Sequence, residues 1–224
     1  MSSPPEHGDP SSAVTPRRSG RAAPWSAIAT TALLTAATAV LALHAVRPDL
    51  DPVPRRISEY AVGRHGWLMT SAFLGFATGL WALGRGVAPL AAAHPRVRPV
   101  RVLLPVAALG MALAGVFETD VTTPDAPREL VHSVASSMAY TSLVATAVWT
   151  ATVARGAVEW RVRRPIVDVV TVLVVLGAIA SPVTHDGPYN GLTQRLSYLA
   201  VLVWLLLLAH AAARGAGTRA GSAR

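Results

Sequence analysis

Residues 102–140 read VLLPVAALGMALAGVFETDVTTPDAPRELVHSVASSMAY, and this stretch decides the fold. Residues 102–117 carry no charge, Glu118 and Asp120 close them, and Pro124 and Pro127 punctuate the turn. The apolar character resumes at Leu130, with His132 just inside it. A chain that leaves an apolar medium and re-enters it within a dozen residues is reversing at a membrane surface. Two acids at the end of one apolar run and an imidazole at the start of the next put titratable groups at that boundary.

The whole chain has the same character. Of its 224 residues 52% are hydrophobic and 14% charged, and the mean hydropathy is +0.42, too apolar for an ordinary soluble domain. Cysteine is absent, which excludes disulfides, thiolate metal sites and a cysteine nucleophile. All 20 basic residues are arginine, a coding bias that suggests a GC-rich bacterial source. The net charge of +8 would suggest nucleic acid in a soluble domain. Here the arginines flank apolar runs, so we expect anionic-lipid contact and no nucleic-acid partner.

Six apolar runs of spanning length predict an all-α, polytopic bundle of six transmembrane helices. They cover residues 25–46, 65–83, 102–117, 130–153, 165–182 and 194–213. We expect residues 1–24 and 214–224 to be disordered cytoplasmic tails around one transmembrane domain, 25–213. Thr30, Thr31, Thr35 and Thr38 can bond back to helix carbonyls. Ser71, Gly75 and Gly79 form a small-residue packing stripe. Asp125 is the predicted cap of the fourth run and Thr193 that of the sixth, and Asp168 can pair with Arg164.

On the fourth run His132, Ser133, Ser136, Ser137 and Tyr140 fall within about 140° of helical arc. Such a stripe should face protein or a cavity, not lipid. Fourteen arginines lie in the tails and the even-numbered connectors and five in the odd-numbered ones, which predicts both termini inside. A bacterial inner-membrane location follows from the same features.

That orientation gathers Glu59, His65, Glu118, Asp120, Glu129, His132, His185, Asp186 and Arg195 at the outer ends of the helices. Glu118, Glu129 and Asp186 read most simply as loop solvation and helix capping. Asp120 and His132 sit at the ends of apolar runs, where desolvation matters more.

The chain resembles the bacterial membrane proteins grouped as domain of unknown function 998. The resemblance lies in Arg47-Pro48-Asp49-Leu50-Asp51-Pro52, Ile57-Ser58-Glu59-Tyr60-Ala61, Gly66-Trp67-Leu68-Met69, Phe117-Glu118-Thr119-Asp120 and His132. It covers about residues 27–212. It implies a multi-helix integral membrane protein and supplies no reaction.

The residues therefore carry the functional expectation. We expect a membrane-embedded enzyme acting on a lipid or isoprenoid by acid/base chemistry, such as a protonation-started cyclisation. Asp120, His132 and Glu59 are its candidate catalytic residues. Trp67, Phe117, Tyr140, His185 and Arg195 are candidates for binding a hydrophobic substrate that arrives laterally from the bilayer, with Phe73 and Tyr189 as further cavity walls. No cofactor is expected. A zinc-dependent hydrolase could draw on His65, Asp120, His132 and His185, yet neither an HExxH motif nor a paired helical histidine spacing is present. The same titratable groups would also suit a proton- or ion-coupled transporter, and the small-residue stripe a non-catalytic assembly protein.

Overall fold

The computed structural model describes residues 22–93, 95–119, 123, 126–155 and 164–221. The described residues are helical and contain no strand. The helices are α1 (Ala22–Val46), α2 (Gly66–Gly86), the short α3 (Ala88–Ala93), α4 (Arg98–Val116), α5 (Pro127–Ala154), α6 (Arg164–Val183) and α7 (Asn190–Gly221). Two 3-10 turns, Ile57–Ala61 and Pro95–Val97, lie in the connectors.

The six long helices close into a ring: α1 packs on α2, α2 on α4, α4 on α5, α5 on α6, α6 on α7, and α7 back on α1. Five of them, α1, α2, α4, α6 and α7, are long and apolar enough to cross a membrane. Helix α5, with 28 residues, is the exception, because its Ser and Thr side chains lower its hydropathy. Several of those hydroxyls are satisfied within the helix: Thr146 donates to Ser142 O at 2.6 Å and Thr150 to Thr146 O at 2.7 Å. Thr30 and Thr38 of α1 bond back in the same way, to Ser26 O and Leu34 O.

Small residues set the close seams. A Cβ on Gly75 would sit 3.4 Å from Ala36 Cβ, and one on Gly79 would sit 2.7 Å from Leu33 Cγ, so the predicted stripe packs on α1. Helices α4 and α5 meet backbone to backbone, where a Cβ on Gly110 would come within 2.6 Å of Ala135 O.

Several boundaries differ from the sequence expectation. Helix α5 begins at Pro127 with Ala126 as its N-cap and no side-chain cap bond; Asp125, the predicted cap, lies outside the described residues. Helix α7 begins at Asn190, so Thr193 is inside its first turn and not its cap. The same helix continues to Gly221, into the stretch expected to be a loose tail. The predicted local pair is present: Asp168 lies 3.5 Å from Arg164 and 3.6 Å from Arg155.

Candidate functional site

The chain direction alternates around the ring, so α1, α4 and α6 end at the rim where α2, α5 and α7 begin. A cavity of about 310 Å³ occupies this end. All six long helices line it: Val40 of α1, Phe73 and Phe76 of α2, Met111 of α4, one face of α5 between His132 and Leu143, Ser181 of α6, and one face of α7 between Asn190 and Val201. The loop before α2 contributes Arg56, Ile57 and Ser58. At 1.5 Å per residue, Tyr140 marks a depth of roughly 20 Å below the start of α5. The other half of the ring is filled by Leu33, Leu80, Leu83, Leu104, Trp204, Leu205 and Leu208, all buried.

The stripe read from the sequence thus faces a cavity: His132, Ser133, Ser136, Ser137 and Tyr140 all line it. His132 is buried, 5% exposed, and its ring is fixed by the end of α4. Nδ1 lies 2.8 Å from Phe117 O and 3.0 Å from Ala114 O. Both partners are carbonyl oxygens, so Nδ1 carries the proton and donates, and Nε2 of the neutral ring is a lone-pair nitrogen. Nε2 has no hydrogen-bond partner among the described residues. Phe73 meets the ring edge-on, with centroids 5.9 Å apart. The carbonyls that hold Nδ1 belong to a helix C-terminus, where acceptors are left over.

Below the rim, Glu129 ties the turn together. It is buried in the first turn of α5 and accepts from Thr119 Oγ1 at 2.8 Å and from Ser133 Oγ at 3.2 Å. Deeper in, α5, α6 and α7 meet at Gly177, where a Cβ would run into Ser197 Oγ and come within 3.1 Å of Tyr140 Oη. The hydroxyls of Tyr140 and Tyr198 are buried, and neither makes a well-aligned hydrogen bond among the described residues.

The remaining candidates are distributed otherwise. Asp120 lies outside the described residues. Glu59 is buried but not in the cavity wall: it accepts from Arg56 N at 3.0 Å and pairs with the Arg55 and Arg56 side chains at 3.2 and 3.4 Å, so it braces the loop before α2. Arg195 also lies outside the lining. Its Nε donates to His44 Nε2 at 2.8 Å, its NH1 to Arg55 O at 2.6 Å, and its guanidinium stacks over Tyr60. Trp67, 66% exposed, and the exposed Tyr189 and Phe117 do not line the cavity; their side chains face outward. His185 and Phe73 do line it. His65 is the N-cap of α2 in a left-handed conformation and is not in the wall. No three His, Asp or Glu side chains converge as metal ligands among the described residues.

The α7 wall escaped the sequence reading. Asn190, Gln194 and Ser197 recur at i, i+4 and i+7, the spacing that puts them on one helical face with Val201. That polar spacing was a usable signal, masked by the apolar residues between.

A ring of helices of membrane-spanning length around a largely apolar cavity edged with hydroxyls defines a membrane-type helical protein. The chain matches the family model described as "Protein of unknown function (DUF998)" over residues 16–211 and belongs to that family. Neither the curated proteins nor the solved structures contain a match.

Proposed function

We propose that the protein is a membrane-embedded enzyme that moves a proton on a lipid or isoprenoid substrate, with His132 as the accepting group. The observation that carries this is the fixed tautomer of His132, with Nδ1 bonded to Phe117 O and Ala114 O and Nε2 left as a lone pair. On taking a proton at Nε2 the ring keeps its Nδ1 bonds to the α4 carbonyls. The aliphatic and aromatic wall of Met69, Phe73, Phe76 and Met111 suits a hydrocarbon body, and the hydroxyls of α5 and α7 suit its polar end. Asp120, three residues beyond Phe117, is the proposed acid partner on sequence position alone. Glu59, held by two arginines, is not part of this proposal. A through-going conduit is less well supported, because the far half of the ring is packed with leucine.

We further propose that all six long helices span a bacterial inner membrane with both termini inside and the cavity at the outer face. The arginine asymmetry supports it. In the first connector Arg47, Arg55 and Arg56 are paired with Asp49 and Glu59, which weakens the objection its basic residues raise.

The enzyme reading is tested with His132→Asn, because an asparagine amide reaches the place of Nδ1 and can keep the bonds to α4 while removing Nε2. Lipid extracts of gene-deleted cells complemented with the wild type should contain a species that cells complemented with His132→Asn lack, at equal protein level. His132→Gln, which does not reproduce the Nδ1 bonds, should also lower the melting temperature. An unchanged lipid profile in cells carrying His132→Asn would overturn the reading.

A further inference from the structure

We propose, building on that reading of the cavity, that the occupant is a neutral, single-tailed amphiphile with a terminal hydroxyl, entering from the bilayer between α5 and α6. The route follows from which walls are closed. Residues 50–58 form a roof fastened to the start of α7: Leu192 N donates to Val53 O at 2.9 Å, Ile57 N to Gln194 Oε1 at 2.5 Å, and Arg195 to Arg55 O. The roof rests on the α7 backbone itself, since a Cβ on Gly191 would collide with Arg55 O. The floor is the leucine-packed half of the ring, and the α1/α2 and α4/α5 seams are closed by glycine contacts.

The cavity-lining residues that are exposed are Ser133 and Ser137 on α5 and His185 just beyond α6. The surface beside them is apolar: Leu130 and Val134 on α5 and Ile179 and Val183 on α6 are each at least 59% exposed. An opening with that surround meets hydrocarbon, not water.

The chemistry of the wall selects the head group. Nε2 of His132 accepts a hydrogen bond, so the ligand must present a donor, and the serine and tyrosine hydroxyls can serve its oxygen. Among the described residues no carboxylate lines the cavity to balance a cationic head. Its arginine, Arg56, is paired through Nε with Glu59, so its charge is already partly met before an anionic head arrives. A volume of about 310 Å³ holds about ten groups of water size, enough for one short tail and not for a two-chain lipid.

The absence of cysteine makes the test direct. Single-cysteine variants Ser136→Cys, inside the cavity, and Thr141→Cys, on the exposed side of α5, are reconstituted in phosphatidylcholine vesicles and labelled with N-ethylmaleimide. With 1-decanol at about ten times its half-protecting level, labelling at Ser136→Cys should slow about tenfold. Labelling at Thr141→Cys should not change. Decyltrimethylammonium and decanoate at equal membrane load should protect less, and adding His132→Asn should erase the preference for the alcohol. Filling the mouth with Ser137→Trp should slow the onset of protection.

Equal protection by all three compounds, or stronger protection by a charged one, would overturn the head-group assignment. An unchanged onset in Ser137→Trp would overturn the route. The outcomes separate from the enzyme reading: selective protection with unaltered lipids in His132→Asn cells removes only the enzyme, whereas lost lipid turnover without protection removes only this occupant.

Discussion

Replacing Gly110 by alanine adds one methyl group at the closest point between α4 and α5. Its Cβ would stand 2.6 Å from Ala135 O, 2.9 Å from Ala139 N and 2.9 Å from Ala139 Cβ. Two of these obstacles are backbone atoms, which no rotamer change can move, so the helices must separate. Overpacking of this kind costs about 1–3 kcal/mol, and the backbone obstacles put Gly110 in the upper part of that range. Alanine returns up to about 1 kcal/mol of helix propensity, leaving a net loss of about 1–2 kcal/mol. For a chain of this size each kcal/mol moves the melting temperature by about 2–4 °C, so the variant should melt about 2–8 °C below the wild type. Gly75→Ala is the matched control: its new methyl meets Ala36 Cβ at 3.4 Å and Ala32 O at 3.5 Å, ordinary contacts, and should leave the melting temperature unchanged or slightly raised. Thermal melts of both purified variants in one detergent decide the matter. A Gly110→Ala protein as stable as the wild type, or a Gly75→Ala protein equally damaged, would refute the assignment of these seams. The seam also orients His132, one turn from Ala135, so Gly110→Ala should loosen the bonds to Phe117 O and Ala114 O.

Asp49 supplies a pH prediction. Its hydrogen bonds from Arg47, at 2.8–3.1 Å, hold the carboxyl below its ordinary value of 3.8. A depressed carboxylate stabilises the fold above the ordinary value and loses that contribution as the pH falls through the depressed one. Asp49→Asn should therefore melt below the wild type at neutral pH, with a gap that closes in acid; a gap that widens in acid contradicts the pairing. For orientation, reporter fusions at residues 90, 160 and the C-terminus should read cytoplasmic and those at 53, 125 and 188 external. An external C-terminus contradicts six spans.

Much of the architecture is legible in the sequence because it rests on local periodicity. Apolar runs of about 20 residues mark the helices, the 100° spacing from His132 to Tyr140 marks a cavity-facing stripe, and Ser71-Gly75-Gly79 marks a packing face. What local pattern cannot supply is a polar group's distant partner. Arg195 reads as a substrate contact although the fold uses it to join His44 to the loop before α2, whereas the partners of Glu59, Arg55 and Arg56, stand only four and three residues before it, within reach of local spacing. Trp67 has the aromatic character of a cavity wall, but its register on α2 turns it outward. Glutamine matches histidine in carrying both a donor and an acceptor, yet the Nδ1 bonds to α4 depend on the shape of the imidazole, which only the folded contact reveals.

The central claim is that His132 presents an unprotonated Nε2 to the cavity, and ¹⁵N magnetic resonance of the histidine rings in vesicle-embedded protein tests it most directly. The His132 signals are assigned by their loss in His132→Asn. At alkaline pH Nδ1 should be protonated and Nε2 bare, with an Nε2 resonance that moves when 1-decanol is added; a proton on Nε2, with Nδ1 bare, would contradict the claim.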